Sequence, residues 1–115
     1  MDLAKITNEY IKEFQSRMKD YSIVLLKLTA RRNEPGANDI ILEHARRNLA
    51  LREDGLASII CPVFSDPGFG GLYIFNTDVD EAGKIMEDDP AVKAGIFQYE
   101  VYSCRSIPGD SLPDN

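Results

Sequence analysis

Apolar residues recur at intervals of three and four along the start of the chain, at Leu3, Ile6, Tyr10, Ile11, Phe14 and Met18, with Lys5, Glu9, Lys12 and Glu13 mostly between them. This period predicts an amphipathic helix over residues 3–18. The pattern then changes. "YSIVLLKLT" (21–29) is a β-branched and aliphatic run that ends at the polar stretch "ARRNEPGAN", which predicts a strand and a loop. A second helix is expected from Asp39 to Asp54, with Asn38 or Asp39 accepting its free amide hydrogens and Gly55 as the left-handed stop. "LASIICPVF" (56–64) and "LYIFN" (72–76) predict two strands joined as a hairpin through the long loop "SDPGFGG". "TDVDEAGKIMEDD" holds Asp78 and Glu81 at capping-box spacing, with Val79, Ala82, Ile85 and Met86 as an apolar face, so a short third helix follows. "IFQYEVYSC" (96–104) is the last strand, and "SIPGDSLPDN" has too little apolar mass to offset the entropy of ordering.

These elements divide the chain into an N-terminal helix (1–20), a domain (21–105) and a loose tail (106–115). Within the domain the order is βαββαβ, the ferredoxin-like arrangement of the α+β class. Right-handed crossovers put both helices on one face of an antiparallel sheet. In "IVLL" and "LYIF", however, successive side chains point to opposite faces and all are apolar, so the face without helices also leaves water. The extra N-terminal helix is expected to cover part of that face. A second copy of the sheet, in a two-fold homodimer, would cover the rest.

A chain of 115 residues with 43% hydrophobic content is long enough for one buried core. Its net charge of −6 repels phosphates, which argues against nucleic acid and anionic membrane surfaces as partners. No apolar run approaches the roughly 20 residues of a membrane span, and "MDLAKITNEY" is unlike a signal peptide, so a cytoplasmic protein is expected. Cys61 and Cys104 are too few for a disulfide framework and are read as reduced. On the expected strand order they lie at opposite sheet edges, roughly 14 Å apart and beyond the reach of a disulfide.

The stretch "EHARRNLALREDGLASIICPVFSDPGFGGLYIF", followed by "DVDEAGKIMEDDPAVKAGIFQYEVY", resembles the YCII-related domain family of the dimeric α/β-barrel superfamily. The matching features are a His-bearing helix that ends in Gly, a strand that runs into Pro, Gly-Gly before the third strand, and Asp-Pro with Ala-Gly beyond it. The likeness covers about residues 21–104. It implies a homodimeric α/β barrel and an active site that pairs His44 with Asp89, with no cofactor. Cys61 departs from the glycine usual in the family before the Pro that ends the second strand, and implies a narrowed pocket or an added thiol.

The topology independently brings these residues to one end of the sheet. Asp89 precedes the last strand, and His44 lies about 8 Å below the start of the first domain helix. A paired carboxylate would orient the imidazole for proton transfer. Each residue also has a plainer role: Asp89-Pro90 is a standard helix start, and a lone histidine on a helix is commonly structural. Arg31 and Arg32, in the loop at the same end, are candidates for attracting an anionic substrate, or form a solvated basic loop. Arg46 and Arg47 read as helix-surface residues paired with Glu43, Glu53 or the third helix. "GFGG" precedes a strand rather than a helix, and is read as hairpin geometry rather than a phosphate cradle. Cys61 as a nucleophile lacks an evident base. A metal would need at least one ligand beyond His44 and Asp89, and none is nominated. Two readings stand: a cofactor-independent lyase- or isomerase-type enzyme acting on a small anionic or aromatic molecule, and a non-catalytic dimeric module that binds a small molecule or a protein in the same cleft.

Overall fold

The computed structural model describes all residues from Met1 to Asn115. A 3-10 turn, Leu3–Lys5, precedes helix α1 (Asn8–Ser16). Then come β1 (Lys19–Leu28), a 3-10 turn (Ala30–Asn33), α2 (Ala37–Glu53), β2 (Ala57–Pro62), β3 (Phe69–Phe75), α3 (Val79–Glu87), α4 (Pro90–Lys93) and β4 (Phe97–Ser106). The strands form one antiparallel sheet in the order β2-β3-β1-β4. This is the ferredoxin-like α+β arrangement, with α4 as a short addition before β4. Cys61 on β2 and Cys104 on β4 are free thiols on opposite sheet edges.

Strand alternation sorts the two faces. Ser22, Val24 and Leu26 of β1 and Tyr73 and Phe75 of β3 are buried toward the helices, where Ala82 and Met86 of α3 and Ala91 of α4 complete the core. On the other face Ile23 and Leu25 lie in register with Ile74 and Leu72, and Ile59 pairs with Ile74. All five are only half-buried. No helix is long and apolar enough to cross a membrane.

Several boundaries differ from the sequence expectation for identifiable reasons. The helix expected over 3–18 is interrupted because the Thr7 side chain accepts the Tyr10 amide at 3.1 Å and starts a new helix there. Helix α2 begins at Ala37 rather than Asp39: Gly36, in the left-handed region at φ 85°, turns the chain into the helix, which leaves Asn38 and Asp39 inside the first turn. β3 begins at Phe69, so the loop before it is shorter than "SDPGFGG" suggested. The N-terminal helix does not cover the open sheet face. No residue of α1 is buried, and the radius of gyration, 16.9 Å, exceeds the ~13 Å of a compact chain this long.

Gly71 controls how closely β2 approaches β3. It has φ 155°, and a Cβ there would lie 2.6 Å from the Cys61 carbonyl oxygen. Gly71→Ala should therefore lower the unfolding free energy by more than about 1 kcal/mol in urea titration, because neither the backbone angle nor the space suits a side chain.

Candidate functional site

Helix α2 lies on the sheet along the stripe Ala37, Ile41, His44, Asn48 and Leu51, spaced four, three, four and three. Two polar residues thus sit in the middle of its inward face. His44 is 6% exposed and Asn48 7%, so each requires partners inside the fold.

The partner of His44 is Asp89, which is 0% exposed. His44 Nδ1 lies 2.8 and 2.9 Å from the two carboxylate oxygens. Asp89 Oδ2 also accepts the Ala91 and Val92 amides at 3.0 and 3.2 Å, capping α4, with Pro90 in the first turn. The pairing with His44 and the helix cap are therefore one arrangement. Burial works to raise the Asp89 pKa, but the hydrogen bond from His44, the charge of His44 and the Val92 and Ala91 amides outweigh it and hold the carboxyl below its ordinary value. Arg47 is not a plain surface residue paired with a glutamate: its Nη1 turns inward, 3.7 Å from Asp89 Oδ1, and is buried without a hydrogen-bond partner. Arg46, by contrast, faces Glu43 at 3.4 Å.

Because an ionised carboxylate only accepts, Nδ1 must carry the proton, and in the neutral ring Nε2 is the acceptor. Nε2 lies 3.1 Å from Asn48 Nδ2 and 3.2 Å from the Tyr73 hydroxyl, which donates to Asn48 Oδ1 at 2.7 Å. Burial, together with the charge of Asp89, pushes the Tyr73 hydroxyl pKa upward, so the phenol stays protonated. The Phe97 ring packs on the imidazole, centroids 4.7 Å apart. Gly70 makes room for it, since a Cβ there would stand 2.9 Å from that ring.

These groups form the polar end of a cavity of about 220 Å³. Its remaining wall is mainly apolar, with Leu26, Ile41, Ile60, Pro62 and Phe97. Cys61 also lines it. Its register partner is Leu72, one position from Tyr73, so alternation turns the thiol toward the open sheet face and the wall takes its main chain.

The two loop arginines lie elsewhere, which corrects the expectation of one shared cleft. Thr29 ties the 3-10 turn to α4 by donating to the Gly95 carbonyl at 2.6 Å, and Arg31 packs over Gly95 in a separate cleft with Lys93 and Tyr99. Arg32 donates to the Pro67 carbonyl at 2.7 Å. The sequence reading did not nominate Asn48, Tyr73 or Arg47. The spacing of His44 and Asn48, one helical turn apart, was the available signal for Asn48. No three His, Cys, Asp or Glu side chains converge as a metal site would require.

No family model and no curated protein matches the chain. Among solved structures, it is similar to the 5-chloro-2-hydroxyhydroquinone dehydrochlorinase TftG from Burkholderia phenoliruptrix AC1100, determined with 2,5-dihydroxybenzoquinone. Identity is 22% and the TM-score 0.48, covering 71% of this chain and 90% of that one.

The lowered Asp89 pKa sets the sign of an acid dependence. The ionised group stabilises the fold above its unfolded value of about 3.9, and that contribution disappears as pH falls through the lower folded value. In urea titrations the native protein should lose stability below about pH 4 more steeply than Asp89→Ala. At neutral pH Asp89→Ala should cost about 3–5 kcal/mol, since it strips a buried pair as well as a cap.

Proposed function

We propose that this chain is a YCII-related enzyme of lyase or isomerase type, in which His44 and Asp89 move a proton on a small anionic or aromatic molecule. The observation that carries the reading is the buried imidazole whose Nδ1 is held by Asp89 while Nε2 stands at the end of an apolar cavity. A base at Nε2 needs no cofactor to accept a proton. The substrate would lie against Leu26, Ile41, Ile60 and Phe97 with its acidic C–H or O–H at Nε2. As Nε2 takes the proton, Asp89 stabilises the imidazolium across Nδ1, and the Tyr73 oxygen is within reach to accept the new N–H. Tyr73 and Asn48 orient Nε2, and Cys61 contributes main chain to the wall. Arg31, in a different cleft, and Arg32, bonded to the Pro67 carbonyl, are not part of this reading.

We further propose that two copies associate through the open sheet face as a homodimeric α/β barrel, because Ile23, Leu25, Leu72 and Ile74 are left partly exposed there. The interface should exceed the ~1,200 Å² of a stable association. The second reading, a non-catalytic binding module, is favoured by one observation: Asp89 also caps α4, a sufficient structural reason for its presence.

A library of small carboxylic acids, phenols and ketones incubated in deuterated buffer distinguishes the two. The native protein should catalyse deuterium incorporation into one member, or its elimination or isomerisation, and His44→Gln should reduce that rate at least about 100-fold. The ligand should still bind to His44→Gln. Ligand binding with no exchange or conversion by the native protein would favour the binding module.

A further inference from the structure

Arg47 is the one charged group beside the dyad to which the proposed proton transfer gives no part. It follows His44 by three residues on α2, so the two side chains are neighbours on one helix face. A guanidinium at this position could extend into solvent, as that of Arg46 does. Instead the Arg47 side chain is only 26% exposed, Nη1 is buried without a hydrogen bond, and its one ionic partner is Asp89 Oδ1 at 3.7 Å. Taking an N–H out of water without a partner is unfavourable, and a cation held this way requires a compensating charge.

That compensation fixes the charge state of the whole corner. Around the His44–Asp89 pair stand Asn48 and Arg47 from α2, the Tyr73 hydroxyl from β3, the Phe97 ring from β4, and the Ala91 and Val92 amides from α4. Leu26 of β1, Ile60 and the Cys61 main chain of β2, and the Met86 carbonyl of α3, which accepts the Asp89 amide, complete the surroundings. Arg31 and Lys93 belong to the separate cleft. Burial keeps the Tyr73 phenol protonated, so only Asp89 and Arg47 bring fixed charge to the corner. The two sum to zero while His44 is neutral. A proton on His44 then leaves the buried corner with a net positive charge, which low dielectric disfavours. Without the guanidinium the balance reverses: a neutral ring leaves Asp89 uncompensated, and the imidazolium–carboxylate pair becomes the state of zero charge. Nε2 would then hold a proton at rest and have no lone pair to offer a substrate.

We infer that Arg47 is a positioning residue for the base: it balances Asp89, so that His44 rests neutral, with its proton at Nδ1 and Nε2 open. The purpose of this balance rests on the reading proposed above; the balance itself does not. It also favours turnover, because an imidazolium in a cationic corner gives its proton back readily.

The test is a pH titration of the single histidine by ¹⁵N NMR in the native chain, Arg47→Met and Arg47→Lys, with each fold verified by circular dichroism. Arg47→Met removes the charge and keeps most of the packing. Its midpoint for protonation at Nε2 should lie about one pH unit above the native one, partial exposure of the guanidinium limiting the shift to that size. Arg47→Lys restores the charge and should bring the midpoint most of the way back. Should Arg47→Met fail to fold, Arg47→Gln is read in its place. Equal midpoints in all the proteins would overturn the inference. So would a lysine variant that titrates like the uncharged one, since packing rather than charge would then be the cause. The titration needs no substrate, which separates the two levels. A raised midpoint in a protein that neither exchanges nor converts any ligand keeps the role of Arg47 and removes the enzyme. An unmoved midpoint in an active protein removes the role of Arg47 alone.

Discussion

A carboxylate removed from water must be surrounded by donors, and Asp89 is where this fold gathers them. The imidazole of His44 comes from the middle of α2, two backbone amides come from the first turn of α4, and the Arg47 guanidinium stands just beyond hydrogen-bonding distance. One side chain therefore fixes how α2 sits against α4 and starts the helix that leads into β4. It also sets which nitrogen of the only histidine carries the proton. Asp89 is thus at once the cap of α4 and the partner of His44.

The sheet supplies the complementary half of the site. Tyr73 reaches Nε2 because β3 turns every second residue toward the helices, and Phe97 can lie against the imidazole because Gly70 has no side chain to meet it. The result is a polar corner in an otherwise apolar cavity. Charge placed there is shielded poorly, so a proton arriving at Nε2 is felt strongly by Asp89. The same physics makes the corner costly when incomplete, and it explains why Asn48, which is of no use to an apolar core, occupies the inward face of α2.

Much of this was legible from pattern alone. The βαββαβ order, the Asp78 cap, the Gly55 stop and the apolar character of both sheet faces followed from period and composition, because burial is what those patterns encode. The meeting of His44 and Asp89 was expected from topology and the family likeness together, neither sufficient alone, and the two side chains are in contact. What was not legible depended on rotation about short segments. Arg31 and Arg32 were assigned to the right end of the sheet, but a single 3-10 turn tied to Gly95 sends them away from the cavity. Cys61 was expected to project a thiol inward, and one step of strand alternation turns it outward. Tyr73 resembled any other apolar strand residue, since only a three-dimensional neighbour gives its hydroxyl a purpose.

Since the chain has one histidine, its ring nitrogens can be observed without assignment by mutation. The most direct test is ¹⁵N NMR of native protein at a pH where the ring is neutral. The account predicts the Nδ1–H tautomer, with Nδ1 coupled to a proton, that proton slowed in exchange with solvent, and Nε2 bare. A neutral ring protonated at Nε2 would mean that Asp89 does not hold His44 as described, and the proposed proton transfer would lose its basis.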